Sequence, residues 1–322
     1  MKKWIYGALI CALILTGCSK KNSTNEEQTN QEQVILKSET NEEVDAERNN
    51  IVPEEMVETV LENIIPEPEV IEADWSEYFD SLNGAAVVYD PLNRKYVIYN
   101  QELAITQNSP CSTFKIISSL IALEHGMIQP DNSTYIWSGE VFWNEKWNHD
   151  IDFRQAFRES CVWYFRKVID EIGQELMQKE LDNLQYGNCD ISDWEGRLNT
   201  NNNNRALTGF WIESSLAISP KEQAEVMERI FGRDSIYSEE TLKELKQVML
   251  VPEYKKADLS IYGKTGMGKA HGIVVDAWFT GFAESAYGNV YFCIYLGKTD
   301  DKNVSSGTAR EIAVQIISDY VN

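Results

Sequence analysis

The chain has 322 residues, enough for two average domains, but its 43% hydrophobic content is spread unevenly, and one large domain with appendages is expected. With 29 basic and 51 acidic side chains the net charge is −22, which argues against nucleic acid as a partner and against electrostatic adhesion to anionic lipid. Only 3 histidines occur and no CxxC or CxxH spacing links the 6 cysteines, so no metal site is expected.

Met1-Lys2-Lys3 supplies a positive start and Trp4 to Leu15 an apolar run too short for a mature membrane span. Leu15-Thr16-Gly17-Cys18 is a small-residue cleavage site ending in cysteine. This resembles a bacterial lipoprotein signal with its lipobox. The resemblance implies removal of residues 1–17, acylation of Cys18 and attachment to the cell membrane on its extracytoplasmic face. Residues 18–74 then form an acidic tether. From Ser19 to Asp74 there are 4 basic and 16 acidic side chains and no aromatic one, too little apolar surface to offset the entropy of ordering. A short amphipathic helix around Glu54 to Ile65 is compatible with that composition. The folded domain is expected over 75–322. It holds Cys111, Cys161, Cys189 and Cys293, whose pairing spacing alone leaves open.

Ala85 to Tyr89 and Lys95 to Tyr99 are β-prone runs joined by Asp90-Pro91-Leu92-Asn93-Arg94, which has turn chemistry. Thr113 to Glu124 reads as a helix that is apolar almost all round and therefore buried. Asp152 caps a helix expected to run through Phe157 and Trp163 towards Gly173, followed by a second from Gln174 to Gln185. Asn199 to Asn204 is a loop. Ser219-Pro220-Lys221-Glu222 combines a capping box with proline at the first helical position, so a helix begins there and runs to Phe231, and Ser238 opens another. Leu259 to Lys264, Val274 to Ala283 and Val290 to Leu296 have strand composition, and Ala309 to Tyr320 has helical spacing. Together these elements give an α+β domain: an antiparallel sheet flanked by helices, with a helical subregion between its strands.

Two short motifs carry chemistry. In Ser112-Thr113-Phe114-Lys115 a hydroxyl and an amine one helical turn apart face the same way, so Lys115 can serve as the base that activates Ser112. A lysine near a helix N-terminus opposes the macrodipole, and this one is followed by Ile116, Ile117, Leu120 and Ile121, an apolar setting that lowers its proton affinity. Far downstream, Lys264-Thr265-Gly266 is expected to end a strand. Its amine and hydroxyl are placed to bind a carboxylate, and its glycine to let the chain turn close to a ligand.

With these residues the chain resembles a class D (oxacillinase-type) serine β-lactamase of the penicillin-recognising superfamily. Ser160-Cys161-Val162 is similar to the Ser-x-Val motif of that class, Tyr186-Gly187-Asn188 to its Tyr-Gly-Asn, Trp211-Ile212-Glu213 to its Trp-Leu-Glu segment, and Arg310 to the arginine on its final helix. The resemblance implies the β-lactamase/D,D-peptidase fold and hydrolysis of β-lactam antibiotics through an acyl-enzyme on Ser112. It implies an oxyanion hole from the backbone N–H groups of Ser112 and Met267, proton transfer by Ser160, and a carboxylate site from Lys264, Thr265, Gly266 and Arg310. It further implies that carbon dioxide carboxylates Lys115 within walls formed by Phe114, Val162 and Trp211, with no other cofactor. Tyr186, Gly187 and Asn188 are structural.

Cys111 and Cys161 place two thiols beside the site, and Trp163-Tyr164-Phe165 resembles the related β-lactam sensor domains. The alternatives are therefore a β-lactam receptor that acylates without turnover and a D,D-peptidase. Val162 argues against the peptidase, since asparagine is usual there. The absence of a run of ~20 apolar residues after the signal argues against the receptor. The oligomeric state is not legible.

Overall fold

The computed structural model describes residues 66–197, 203–254 and 258–321. The expected helix at 54–65, the signal, Cys18 and most of the Asn-rich loop lie outside them. The described part is built on a six-stranded sheet. Its strands are β1 (Glu69–Glu72), β2 (Gly84–Asp90), β3 (Lys95–Tyr99), β4 (Leu259–Ala270), β5 (Ile273–Ser285) and β6 (Gly288–Gly297), in the order β1-β3-β2-β6-β5-β4. All neighbours are antiparallel except β1 and β3, so the expected sheet is extended by one parallel edge strand.

That edge strand corrects the expected boundary of the tether, which ran to residue 74. Val70 lies opposite Tyr96 and Ile71 opposite Val97, while Ala73 N–H donates to Ile98 O at 2.8 Å. All four residues of β1 are exposed, so it is held by backbone bonds and carries no core signature for a sequence reading to find.

Both faces of the sheet are covered. On β2, Ala85 and Val87 enter one core with the helical subregion, whereas Ala86 and Val88 enter a second core. The second core is closed by helix α1 (Ser76–Phe79) and the C-terminal helix α9 (Ser306–Tyr320). A strand buried on both sides reads as a continuous apolar run, and β2 does.

The remaining helices are α2 (Gln101–Ala104), α3 (Lys115–Glu124), α4 (Phe153–Arg158), α5 (Val162–Ile172), α6 (Gln174–Leu184), α7 (Pro220–Phe231) and α8 (Glu239–Met249). Ser219 and Glu222 form the reciprocal capping box at the start of α7. The single helix expected from Asp152 to Gly173 is broken in two at Ser160, whose φ is +55°. β4 does not end at the Lys-Thr-Gly motif but continues to Ala270, paired with β5 throughout.

Candidate active site

The nucleophile turn is fixed from outside. Residues Cys111–Phe114 form a 3-10 turn that leads into α3, with Cys111 at φ +49° and its N–H donating to Trp211 O at 2.9 Å. Ser109 Oγ donates to the same carbonyl at 3.0 Å and accepts from Glu213 N–H at 2.9 Å. Thr113 Oγ1 bonds Pro110 O at 2.7 Å and accepts from Gln223 Nε2 at 3.0 Å.

Lys115, the first residue of α3, lies one turn below Ser112, and the gap from Nζ to Ser112 Oγ is 3.0 Å. The side chain is only 1% exposed. Burial lowers its pKa from 10.5 to about 8, against a smaller upward pull from Cys161 and Cys111. Phe114 and Trp211 are buried and stacked, ring centroids 6.1 Å apart at 23°, and Val162 is half-buried beside the cavity. Phe165 is a wall the sequence reading missed: its ring centroid is 5.4 Å from Lys115 Nζ. Its position three residues after Val162 on α5 was the available signal.

Ser160 occupies the place usually taken by glycine at a helix C-terminus. Its N–H bonds Phe157 O at 3.2 Å and the following Cys161 N–H bonds Ala156 O at 2.8 Å, the paired closure of a left-handed helix end. This bend ends α4 and sets Ser160 Oγ 3.2 Å from Lys264 Nζ. Lys264 Nζ also bonds Thr265 O at 3.0 Å. Burial, together with the charge of Lys115, drives the Lys264 pKa well below its ordinary value.

Gly266 acts by permitting close approach within the strand, not by turning the chain as expected. A Cβ there would lie 2.9 Å from Thr113 Cγ2 and 3.0 Å from Pro110 O, so only glycine lets β4 run this close to the nucleophile turn. Ser112, Ser160, Val162, Thr265, Gly266 and Met267 thus line one cavity of about 750 Å³.

Arg310 departs from expectation. It does not line that cavity but borders a second one of about 550 Å³, with Lys264 and Thr265, and its guanidinium Nη1 bonds Glu253 Oε1 at 3.1 Å. The reason is its place on α9. Ser306 in the first turn reaches the Ser112 cavity, and Arg310 comes one turn later.

Tyr186 and Asn188 pack against the elements that carry Phe114 and Trp211. Tyr186 is buried edge-on to Phe114 at 5.6 Å and 75°. Asn188 brackets the return of the Trp211 segment, donating from Nδ2 to Ser215 O at 2.9 Å and accepting at Oδ1 from Ala217 N–H at 3.0 Å. None of the four described cysteines forms a disulfide. Burial pushes the Cys161 thiol up to about 11 and the Cys111 thiol up to about 12, so both are inert at neutral pH.

A buried lysine on a serine hydroxyl, with a second lysine–serine pair across the cavity, is the constellation of a penicillin-recognising protein. The chain belongs to that family: the penicillin binding protein transpeptidase domain matches residues 84–318. It is 30% identical over 248 residues to the probable β-lactamase YbxI of Bacillus subtilis (strain 168), covering 75% of this chain and 82% of that one. It is 29% identical over 255 residues to the regulatory protein BlaR1 of Bacillus licheniformis, covering 79% of this chain but spanning only 40% of that protein's length. Among solved structures, the C-terminal domain of the Bacillus licheniformis BlaR penicillin-receptor is similar, with a TM-score of 0.69, 28% identity and coverage of 80% of this chain and 98% of that one. The resemblance to class D β-lactamases and the penicillin-recognising fold drawn from the motifs are both shown.

Proposed function

We propose that the protein is a class D β-lactamase, held by a Cys18 lipid on the extracytoplasmic face of the cell membrane, that hydrolyses β-lactam antibiotics. The 3.0 Å approach of Lys115 Nζ to Ser112 Oγ carries this reading, because a lysine with its pKa lowered to about 8 is neutral in about a tenth of molecules at pH 7 and can accept the serine proton.

Ser112 Oγ attacks the β-lactam carbonyl carbon as its proton passes to Lys115. The oxyanion is held by the N–H groups of Ser112 and Met267. Collapse breaks the lactam C–N bond as Ser160 Oγ delivers a proton to the departing nitrogen. The proton that Lys115 took from Ser112 makes good that loss through the Ser160–Lys264 pair, whose Oγ and Nζ are 3.2 Å apart, and leaves Lys115 neutral. With Lys115 neutral again, it takes a proton from water as that water attacks the ester, and returns it to Ser112 Oγ as the ester C–O bond breaks, releasing the opened acid. Lys264, Thr265 and Arg310 bind the substrate carboxylate.

The buried, apolar-walled Lys115 amine suits carboxylation by carbon dioxide, which requires the neutral form. Phe114, Val162, Phe165 and Trp211 would enclose the product, with the Trp211 indole N–H as donor. The carbamate would supply an oxygen base for both half-reactions.

The likeness to the BlaR penicillin-receptor favours a second reading, acylation of Ser112 without turnover. The full chain mixed with a chromogenic cephalosporin separates the two. Sustained product release supports the enzyme, and a stoichiometric, long-lived Ser112 adduct by mass supports the receptor. Failure of Ser112→Ala to abolish adduct formation overturns both.

A further inference from the structure

The carboxylate site is already occupied by a carboxylate of the chain itself. Glu253 sits on the 3-10 turn Pro252–Tyr254. The Val251 N–H bonds Ile261 O at 2.9 Å, and Leu250 bridges Tyr262, so this turn is pinned alongside β4 just before the Lys-Thr-Gly motif. There Glu253 Oε1 takes the Arg310 guanidinium at 3.1 Å, in the cavity that Lys264 and Thr265 also line. Thr265 borders both this cavity and the Ser112 cavity, so the two meet at the residue expected to bind substrate.

The Glu253–Arg310 pair is built to exchange. Its side chains are 49% and 37% exposed, the setting in which ion pairs are weak and readily displaced. Arg310 Nε is buried without a hydrogen-bond partner, so Glu253 uses only part of the guanidinium fork. An incoming carboxylate has two oxygens for that fork, and Lys264 lines the same cavity as a further N–H donor. Ser306, on the same face of α9 one turn before Arg310, lines the Ser112 cavity.

We propose that Glu253 is an internal stand-in for the substrate carboxylate, holding Arg310 off the Ser112 cavity until an anionic substrate displaces it; this rests on the β-lactam-binding reading. Glu253 is then a specificity-determining residue. It weakens binding of every ligand that must recruit Arg310, by the fraction of molecules in which Arg310 is free.

The test is single-turnover acylation of the full chain by a fluorescent penicillin with a free carboxylate, and by its methyl ester, over a range of concentrations. In Glu253→Gln the half-saturating concentration of the acid falls about two- to fivefold while the limiting acylation rate is unchanged. The gain is absent with the ester and absent when Glu253→Gln is made in an Arg310→Ala chain. Equal half-saturation in parent and Glu253→Gln overturns the inference, as does a gain that survives either control. A parent chain that is not labelled at all overturns the β-lactam reading together with it, whereas labelling without a shift overturns the Glu253 role alone.

Discussion

Lys264 Nζ stands 3.2 Å from Ser160 Oγ, a contact between the middle of β4 and a serine held in a left-handed helix end. Because φ at Ser160 is +55°, its backbone and its hydroxyl make separable demands. Ser160→Gly removes the hydroxyl and relieves a conformation that costs an L-residue about 1–2 kcal/mol. Ser160→Ala removes the hydroxyl and keeps that cost. Both variants should lose acylation by about 10²–10⁴-fold, the usual worth of a positioned proton donor. Thermal melting should show Ser160→Gly at or above the parent and Ser160→Ala no higher. If Ser160→Gly acylates normally, proton transfer does not run through this hydroxyl.

Lys115 makes the fold pay in stability for a reactive amine. Its pKa falls from 10.5 in the unfolded chain to about 8 in the folded one, so below pH 8 the buried ammonium costs about 3 kcal/mol. Between pH 8 and 10.5 the unfolded chain binds the proton that the folded chain has released, and stability contributed by this group rises with pH. Lys115→Met, of similar volume, should abolish acylation and raise the melting temperature in carbon-dioxide-free buffer. The stability gain over the parent should be largest below pH 8 and shrink towards pH 10. A gain that does not vary with pH would mean that the amine is not the strained group.

Trp211 divides the roles of wall and donor. It is 1% exposed and stacked on Phe114, so Trp211→Phe keeps an aromatic wall and removes only the indole N–H and some volume. Turnover of the parent should depend on added bicarbonate, and Trp211→Phe should lose that dependence along with most of its activity. The ¹³C signal from labelled bicarbonate on Lys115 reports the same effect without reference to turnover. Full parent turnover in rigorously carbon-dioxide-free buffer would sink the carboxylation proposal.

The motifs fixed in advance which side chains meet, because Ser112 and Lys115 share a helical face and the Lys-Thr-Gly run has strand composition. What sequence could not give was the backbone that aims them. Asp152 to Gly173 has unbroken helical patterning, yet Ser160 is bent out of it by a closure that any residue can provide but few accept. Gly266 in Lys-Thr-Gly suggests a turn, whereas its role depends on Pro110 and Thr113, which lie far away in sequence. Arg310 was placed by motif alone, and its pairing with Glu253 is a tertiary contact with no local signature. β1 went unseen because an edge strand held by backbone bonds needs no apolar pattern.

Gly187 supplies the most direct test of the scaffold behind the site. Its φ is +53°, and a Cβ at this position would lie 2.0 Å from Ala217 O, a clash that only backbone displacement relieves. That backbone matters because Leu216 N–H bonds Phe210 O at 3.0 Å and Trp211 O holds the nucleophile turn through Cys111 N–H at 2.9 Å. Displacement of Ala217 therefore propagates towards Ser112 through these two backbone hydrogen bonds. Gly187→Ala should cost about 3 kcal/mol or more, combining left-handed strain with overpacking. Asn188→Ala, which deletes the neighbouring side-chain bonds without adding an atom, should cost about 1–3 kcal/mol. Urea unfolding gives both costs. If the chain of contacts is real, the Gly187→Ala protein that remains folded should acylate at Ser112 more slowly than the Asn188→Ala protein. Equal acylation rates would confine the effect of Gly187 to stability.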